Sequence, residues 1–147
     1  PTGGTSDYAS EMIHFAAQNK KYKCFVNELT QLPFIVMPDA IKSIRMLMES
    51  TLENLKNNIY NITSFSPTAN DFYIETKKYF AQFQLSYNIN EQRQNIVNSW
   101  PNKINDKKAK QDWNWEPTYN LSNAFKNYLI PNIISYYEGI NNEHIKE

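Results

Sequence analysis

Groups that could carry covalent or metal chemistry are few in this chain. It has one cysteine, Cys24, and two histidines, His14 and His144. Cys24 sits in the apolar alternation Tyr22, Cys24, Val26, which predicts a core filler and not a nucleophile. His14 falls in a helical stretch with no second His or Cys near it in sequence, so it reads as a half-exposed helix residue and not a ligand. No Gly-x-Gly-x-x-Gly, Gly-x-x-x-x-Gly-Lys-Ser/Thr or Gly-x-Ser-x-Gly occurs. Residue types and spacing alone therefore assign no reaction.

The strongest local signal lies elsewhere. All three tryptophans fall between Ser99 and Pro117. Asp106 predicts an N-cap, and the spacing predicts a helix over 107–113. Asn114 suits the left-handed position that ends such a helix, and Pro117 forbids its continuation. Ala109 and Trp113 share one face, while Lys107, Lys108 and Lys110 stay wet. This compact helix with an aromatic exit reads as a lid or cap on a larger body.

The 147 residues suffice for one domain with a real core. Lys plus Arg equals Asp plus Glu, at 15 each, so no basic face for nucleic acid is expected, nor any electrostatic draw to an anionic membrane. No apolar run is long enough to span a bilayer. A lone cysteine and no visible leader lead us to expect a reducing compartment, the cytoplasm by default. The chain opens Pro-Thr-Gly-Gly without Met, which reads as a processed end or the cut edge of a longer protein.

Taken in order, Gly3 and Gly4 predict a turn, with Thr5, Ser6 or Asp7 capping a helix to about Asn19. Its apolar stripe is Ala9, Ile13 and Ala16, widened by Met12 and Phe15. Strands are expected over Tyr22–Asn27, Pro33–Met37, Asn58–Thr63 and Gln82–Asn88. Asp39 should cap a helix from Ala40 to about Glu49 that buries Ile41, Ile44, Leu47 and Met48. Ser66-Pro67 should open a helix to about Phe80. A short helix or turn follows at Glu91–Asn98, and a last helix runs from Leu121 to about Tyr137 with Pro131 as a kink. Beyond Gly139 the tail is polar.

Several segments resemble the C-terminal half of the L-threonine 3-dehydrogenases of the extended short-chain dehydrogenase and nucleotide-sugar epimerase family. They are Gly3-Gly4-Thr5-Ser6-Asp7-Tyr8-Ala9, Thr30 through Ile41, Tyr60 through Pro67, Arg93-Gln94 through Ser99-Trp100-Pro101, and Asp106 through Pro117. Five segments in register, covering the chain to about Tyr128, make the resemblance specific. Asn114 departs from it, standing where the family has Gly between the two tryptophans.

What the resemblance implies is an α/β fold, helix-rich with few short strands. It would comprise the last Rossmann elements and a small substrate lobe, over 1–138, with the tail 139–147 beyond. It implies NAD-dependent oxidation of L-threonine to 2-amino-3-oxobutanoate by the intact parent, and a homodimer for which the Asp7–Asn19 helix is one candidate face. The dinucleotide fingerprint and the catalytic Ser or Thr and Tyr-x-x-x-Lys would all precede Pro1, so this chain alone is expected to be inactive. Tyr73 and Lys77 match that spacing only by accident. The residues that carry over are on the substrate side: Gly4, Thr5, Ser6 and Asp7 near the amino acid's charged groups, and Trp100 closing the pocket. Hydroxyls and freed N–H groups at a glycine turn can receive a carboxylate. Helix capping competes for Thr5, Ser6 and Asp7, and core packing for Trp100. The alternatives are a nucleotide-sugar epimerase or dehydratase, and a truncated non-enzyme acting only through a protein surface.

Overall fold

The computed structural model describes residues 4–143; Gly3, His144 and the end of the polar tail lie outside them. The fold is a helix-rich α/β arrangement around a small two-stranded open sheet. Strands β1 (Tyr22–Cys24) and β2 (Leu85–Tyr87) are parallel, with Tyr22 opposite Leu85 and Cys24 opposite Tyr87. A parallel pair needs a long crossover. Here it is supplied by helices α2 (Met37–Glu49) and α3 (Ala69–Tyr79).

Helix α1 (Tyr8–Ala17) buries Tyr8, Ala9, Met12, Ile13 and Ala16, the expected stripe. That stripe packs on α3, on β1 and on the final helix within the chain. Cys24 and Val26 are fully buried in the same core, and burial pushes the Cys24 thiol up to about 11. Cys24 is therefore the inert filler its alternation predicted.

Several expectations are corrected. The run 33–37 is not a strand: Gln31 and Phe34 make single antiparallel bridges to Thr68 and Phe65, and Met37 already belongs to α2. The run 58–63 is not a strand either, because its backbone finds no ladder partner among the described residues. Helix α3 starts later than Ser66-Pro67 implied. Thr68 is its cap, in a reciprocal capping box with Asp71 that satisfies two end donors together. The last helix is broken into α6 (Leu121–Ala124), a π-helical segment Phe125–Leu129, and α7 (Ile130–Glu143). Pro131 has no N–H to give, and the Ile130 amide reaches Phe125 five residues back, so the ladder slips where proline would break it.

Helix α2 is the largest departure. It begins at Met37 with Pro38 in its first turn, so Asp39 cannot be its cap. Asp39 is fully buried. Its carboxylate accepts from the Ser64 hydroxyl (2.7 Å) and from the amides of Thr118 (2.9 Å) and Tyr119 (3.1 Å). The buried face of α2 is thus Asp39 and Ser43, with Met46 and Leu47 beside them, while Ile41, Ile44 and Met48 lie in solvent.

Helix α4 spans Glu91–Asn98, the helix of the two forms expected there. Helix α5 spans Lys107–Trp113 and ends on Asn114 at φ 56°, the left-handed conformation expected. Its first turn differs from the reading: Asp106 pairs with Lys110 (3.1 Å), and the Lys107 amide donates to Asn105 Oδ1 instead. Ala109, Trp113 and Trp115 form a second, smaller core with Met46, Leu47, Tyr60 and Ile62.

Two stability outcomes follow. Asp39→Ala strands the amides of Thr118 and Tyr119 and the Ser64 hydroxyl, and should cost about 2 kcal/mol in urea unfolding. Asn114→Ala, which forces a bare Cβ into the left-handed region, should cost about 1 kcal/mol, whereas Asn114→Gly should be neutral or slightly stabilising.

Candidate functional site

The segment before α1 is a closed turn. The Gly4 amide donates to Asp7 Oδ2 (2.8 Å), and the Asp7 amide donates back to the Gly4 carbonyl (3.2 Å). A Cβ on Gly4 would stand 2.8 Å from Asp7 Oδ1, so the turn requires glycine while that bond holds. Asp7 occupies the N-cap position of α1 without a side-chain cap bond, because its carboxylate is turned back on Gly4. The Gly4 amide is therefore already engaged and is not free for an anion. The amides of Thr5 and Ser6, in contrast, make no hydrogen bond within the described residues.

Arg93 holds this turn from α4. Its guanidinium lies 3.9 Å from the centre of the Phe25 ring and donates to the Gly4 carbonyl (3.2 Å). Gln94 anchors the same helix. Its Oε1 accepts from the Asn27 amide (2.8 Å), and its Nε2 donates to Thr30 Oγ1 (3.0 Å) and Asn98 Oδ1 (2.7 Å). Trp100 follows immediately, its amide bonded to the Val97 carbonyl (3.1 Å). Neither polar role could be read from spacing, since Arg93 and Gly4 are 89 positions apart. The one signal was the Arg93-Gln94 pair within a matching segment.

Ser6 and Trp100 meet in a hollow of about 320 Å³ whose other walls are Leu32, Pro33, Phe34, Ile35 and Pro101. Trp100 is 43% exposed, so it lines an opening and is not core packing. Ser6 and Asp7 also border a larger groove of about 690 Å³, walled by Phe34, Val36, Ile133 and His14 among others. Thr5 is half-buried in the turn and borders neither hollow, and Gly4 shapes the turn without lining it.

His14 Nδ1 lies 2.9 Å from the Tyr137 hydroxyl, which also accepts from Gln18 Nε2 (2.6 Å), a clasp between α1 and α7. Burial holds the His14 imidazole below its ordinary pKa. Tyr73 and Lys77 form an exposed i, i+4 contact on α3 (3.2 Å), away from both hollows, as the accidental match implied. On the far side, Asp112 accepts from Tyr60 Oη (2.7 Å), Asn57 Nδ2 (2.9 Å) and the Lys56 amide (3.2 Å). The Tyr60 hydrogen bond, foremost, holds its carboxyl below the usual range.

No family model matches the chain. Its sequence is 34% identical over 121 residues to the protein named "L-threonine 3-dehydrogenase, mitochondrial" from Bos taurus, covering 82% of this chain and 32% of that one. It is 35% identical over 123 residues to an uncharacterized epimerase/dehydratase of Staphylococcus saprophyticus, covering 83% and 38%. Its fold superposes on the L-threonine 3-dehydrogenase of Trypanosoma brucei with a TM-score of 0.85 at 32% identity, covering 95% of this chain and 43% of that one. The chain belongs to the extended short-chain dehydrogenase and epimerase family. Within it the kinship is to L-threonine 3-dehydrogenases, and the chain spans about a third of the length of the curated relatives it matches. The bovine relative and its counterpart from Sus scrofa both carry the word mitochondrial, which overturns the cytoplasmic expectation. A single free thiol fits any compartment that keeps thiols reduced and could not separate the two. No helix among the described residues is long and apolar enough to cross a membrane.

The residues present do not fit a dinucleotide. Gly4 and Gly139 are the glycines of the described residues, and neither forms a glycine-rich strand-to-helix turn.

Tyr60→Phe should move the Asp112 carboxyl back up toward the ordinary range, read by its carboxyl carbon shift during an NMR titration. In the wild type the depressed value means that this carboxylate's contribution to stability is present above the unfolded pKa and is lost as pH falls through the folded one. The variant should flatten that acid limb.

Proposed function

We propose that this chain is the substrate-side portion of an NAD-dependent oxidoreductase acting on L-threonine, giving 2-amino-3-oxobutanoate in the assembled enzyme. The single observation that carries the reading is the hollow that Ser6 and Trp100 both line. The unengaged amide of Ser6, with the Ser6 hydroxyl, suits the carboxylate of an amino acid. The Trp100 indole suits the role of a wall that excludes water while a hydride leaves the β-carbon. Asp7 borders the adjoining larger groove, where its negative charge suits an ammonium, and also holds the turn through Gly4. NAD, when bound in the assembled enzyme, would accept the hydride; its glycine fingerprint does not occur in this sequence. The chain alone is expected not to oxidise threonine, and a twofold dimer is the assembly the resemblance implies.

A second reading is favoured by one observation, the likeness to a staphylococcal epimerase/dehydratase. A nucleotide-sugar enzyme would need room and polar groups for a sugar and a diphosphate. A hollow near the lower end of the usual ligand-pocket range, walled mostly by proline and apolar side chains, suits a small amino acid better.

The test uses the exposed indole as its own reporter. L-threonine should change the fluorescence of the 147-residue chain saturably, and Trp100→Phe should abolish the change, since Trp113 and Trp115 are buried. Ser6→Ala should weaken binding roughly tenfold, the worth of one hydrogen bond to a charged group. A response to a uridine diphosphate sugar with none to threonine would transfer the assignment to the epimerase class.

A further inference from the structure

The outer turns of α7 hang on one side chain. Across 134–139 every residue but Tyr137 is exposed, and Tyr137 packs against the main core. What it meets on α1 is a hydrogen-bond chain with one possible direction. Gln18 Nε2 lies 3.1 Å from the His14 carbonyl, which can only accept. Gln18 Oε1 lies 2.7 Å from Lys20 Nζ, which can only donate. The side-chain amide is thus fixed at both ends, and its N–H donates to Tyr137 Oη (2.6 Å). With that oxygen accepting from Gln18, the phenol proton goes to His14 Nδ1, 2.9 Å away. This bond requires a neutral imidazole carrying its own proton on Nε2.

An imidazolium has no lone pair to offer. With Nδ1 protonated, Tyr137 Oη would face two N–H donors while its own proton lost its acceptor. The new charge would also lack a counter-ion, since no carboxylate pairs with His14 among the described residues. The titratable groups facing the ring from α7 are Tyr136 and Tyr137, both nearly perpendicular to it, with ring centres 6.0 and 5.9 Å away. On α1, Glu11 is turned to Tyr22 Oη (2.6 Å) and Asp7 to the Gly4 amide (2.8 Å). Just beyond α1, the Lys20 ammonium reaches Gln18 and not the ring. Burial already holds the imidazole below its ordinary pKa. A folded-state value below the unfolded one means that the contact's contribution is whole above the unfolded pKa and is lost as pH falls through the folded one.

We propose that His14, Gln18 and Tyr137 form a proton-operated latch, in which protonation of His14 releases the end of α7 from α1. Tyr136, next to the latch, borders the large groove together with Ser6, Asp7 and His14. Release therefore loosens one wall of that groove. The latch stands on α1 and α7 alone and does not rest on the amino-acid reading.

The test is NMR of the 147-residue chain without any ligand. Above neutrality, the imidazole nitrogen shifts of His14 should show the Nε2–H tautomer, and its titration midpoint should lie below 6.5. Through that midpoint, amide-exchange protection over 134–139, corrected for the intrinsic effect of pH on exchange, should fall roughly tenfold, the worth of one hydrogen bond. Protection of α3 should hold. Gln18→Glu reverses the chain: its carboxylate takes the Tyr137 proton, and Tyr137 Oη is freed to accept from Nδ1–H. That variant should raise the midpoint and keep α7 protected in acid. His14→Asn keeps an acceptor near the place of Nδ1 but cannot titrate, so its protection should not change with pH; its missing signal also tells His14 from His144. Three results would each overturn the latch: protection indifferent to the titration, an acid loss that persists in His14→Asn, or an Nδ1–H tautomer in the wild type. Should His14→Asn prove unfolded by circular dichroism, Gln18→Glu decides alone, and a loss at the wild-type pH overturns the proposal. Failure of threonine to bind would touch none of these readouts.

Discussion

One buried carboxylate ties together the parts of this molecule that carry no sheet between them. Asp39 is fully enclosed and takes three donors from two distant segments, the hydroxyl at 64 and the amides at 118 and 119. Burying a charge is tolerable only when hydrogen bonds replace its lost hydration. Here that requirement fixes three things at once: the rotation of α2, the path of the bridge region around Phe65, and the return of the chain after Trp115. With α2 so oriented, Met46 and Leu47 meet the tryptophans, and the opposite stripe is left facing outward.

The candidate site depends on a second, independent set of polar fastenings. Arg93 presses its guanidinium on Phe25 and takes the Gly4 carbonyl, while Gln94 locks α4 to Asn27 and Thr30. Two neighbouring residues on one helix therefore set both walls of the hollow, the glycine turn on one side and the indole on the other. The side chains that would touch a ligand are small or flat. Those that place them are long, polar and hidden from it.

What could be read from the chain and what could not divides along a physical line. Helix α5 was legible to the residue because its start, its face and its left-handed end are all local signals, although Asn105 and not Asp106 satisfies its first amide. Helix α1 and α4 were legible for the same reason. The burial of α2 was not, since its apolar residues are ample on two faces and only Asp39's distant partners decide between them. Ser66-Pro67 offered a start for α3, but the reciprocal bond of Thr68 with Asp71 sets the cap two residues later. The run 58–63 has strand-like side chains, but a strand exists only with a neighbour. Of the site, Ser6 and Trp100 came from resemblance, whereas Arg93 acts on a backbone carbonyl and leaves no pattern in sequence.

The π-helical segment before Pro131 amounts to one residue more than an unbroken α-helix would hold. Each residue advances a helix by about 100°. Everything from Ile130 onward is thus phased by that single surplus residue: Ile133 turns inward to the core and Tyr137 swings round to meet His14 and Gln18. Shortening the segment by one would rotate this whole C-terminal rod by more than a quarter turn and carry its tyrosine off the first helix, with no apolar side chain lost. The closure between the two ends of the described chain is accordingly a matter of angular count, set within residues 125–129, and not of the composition of either helix.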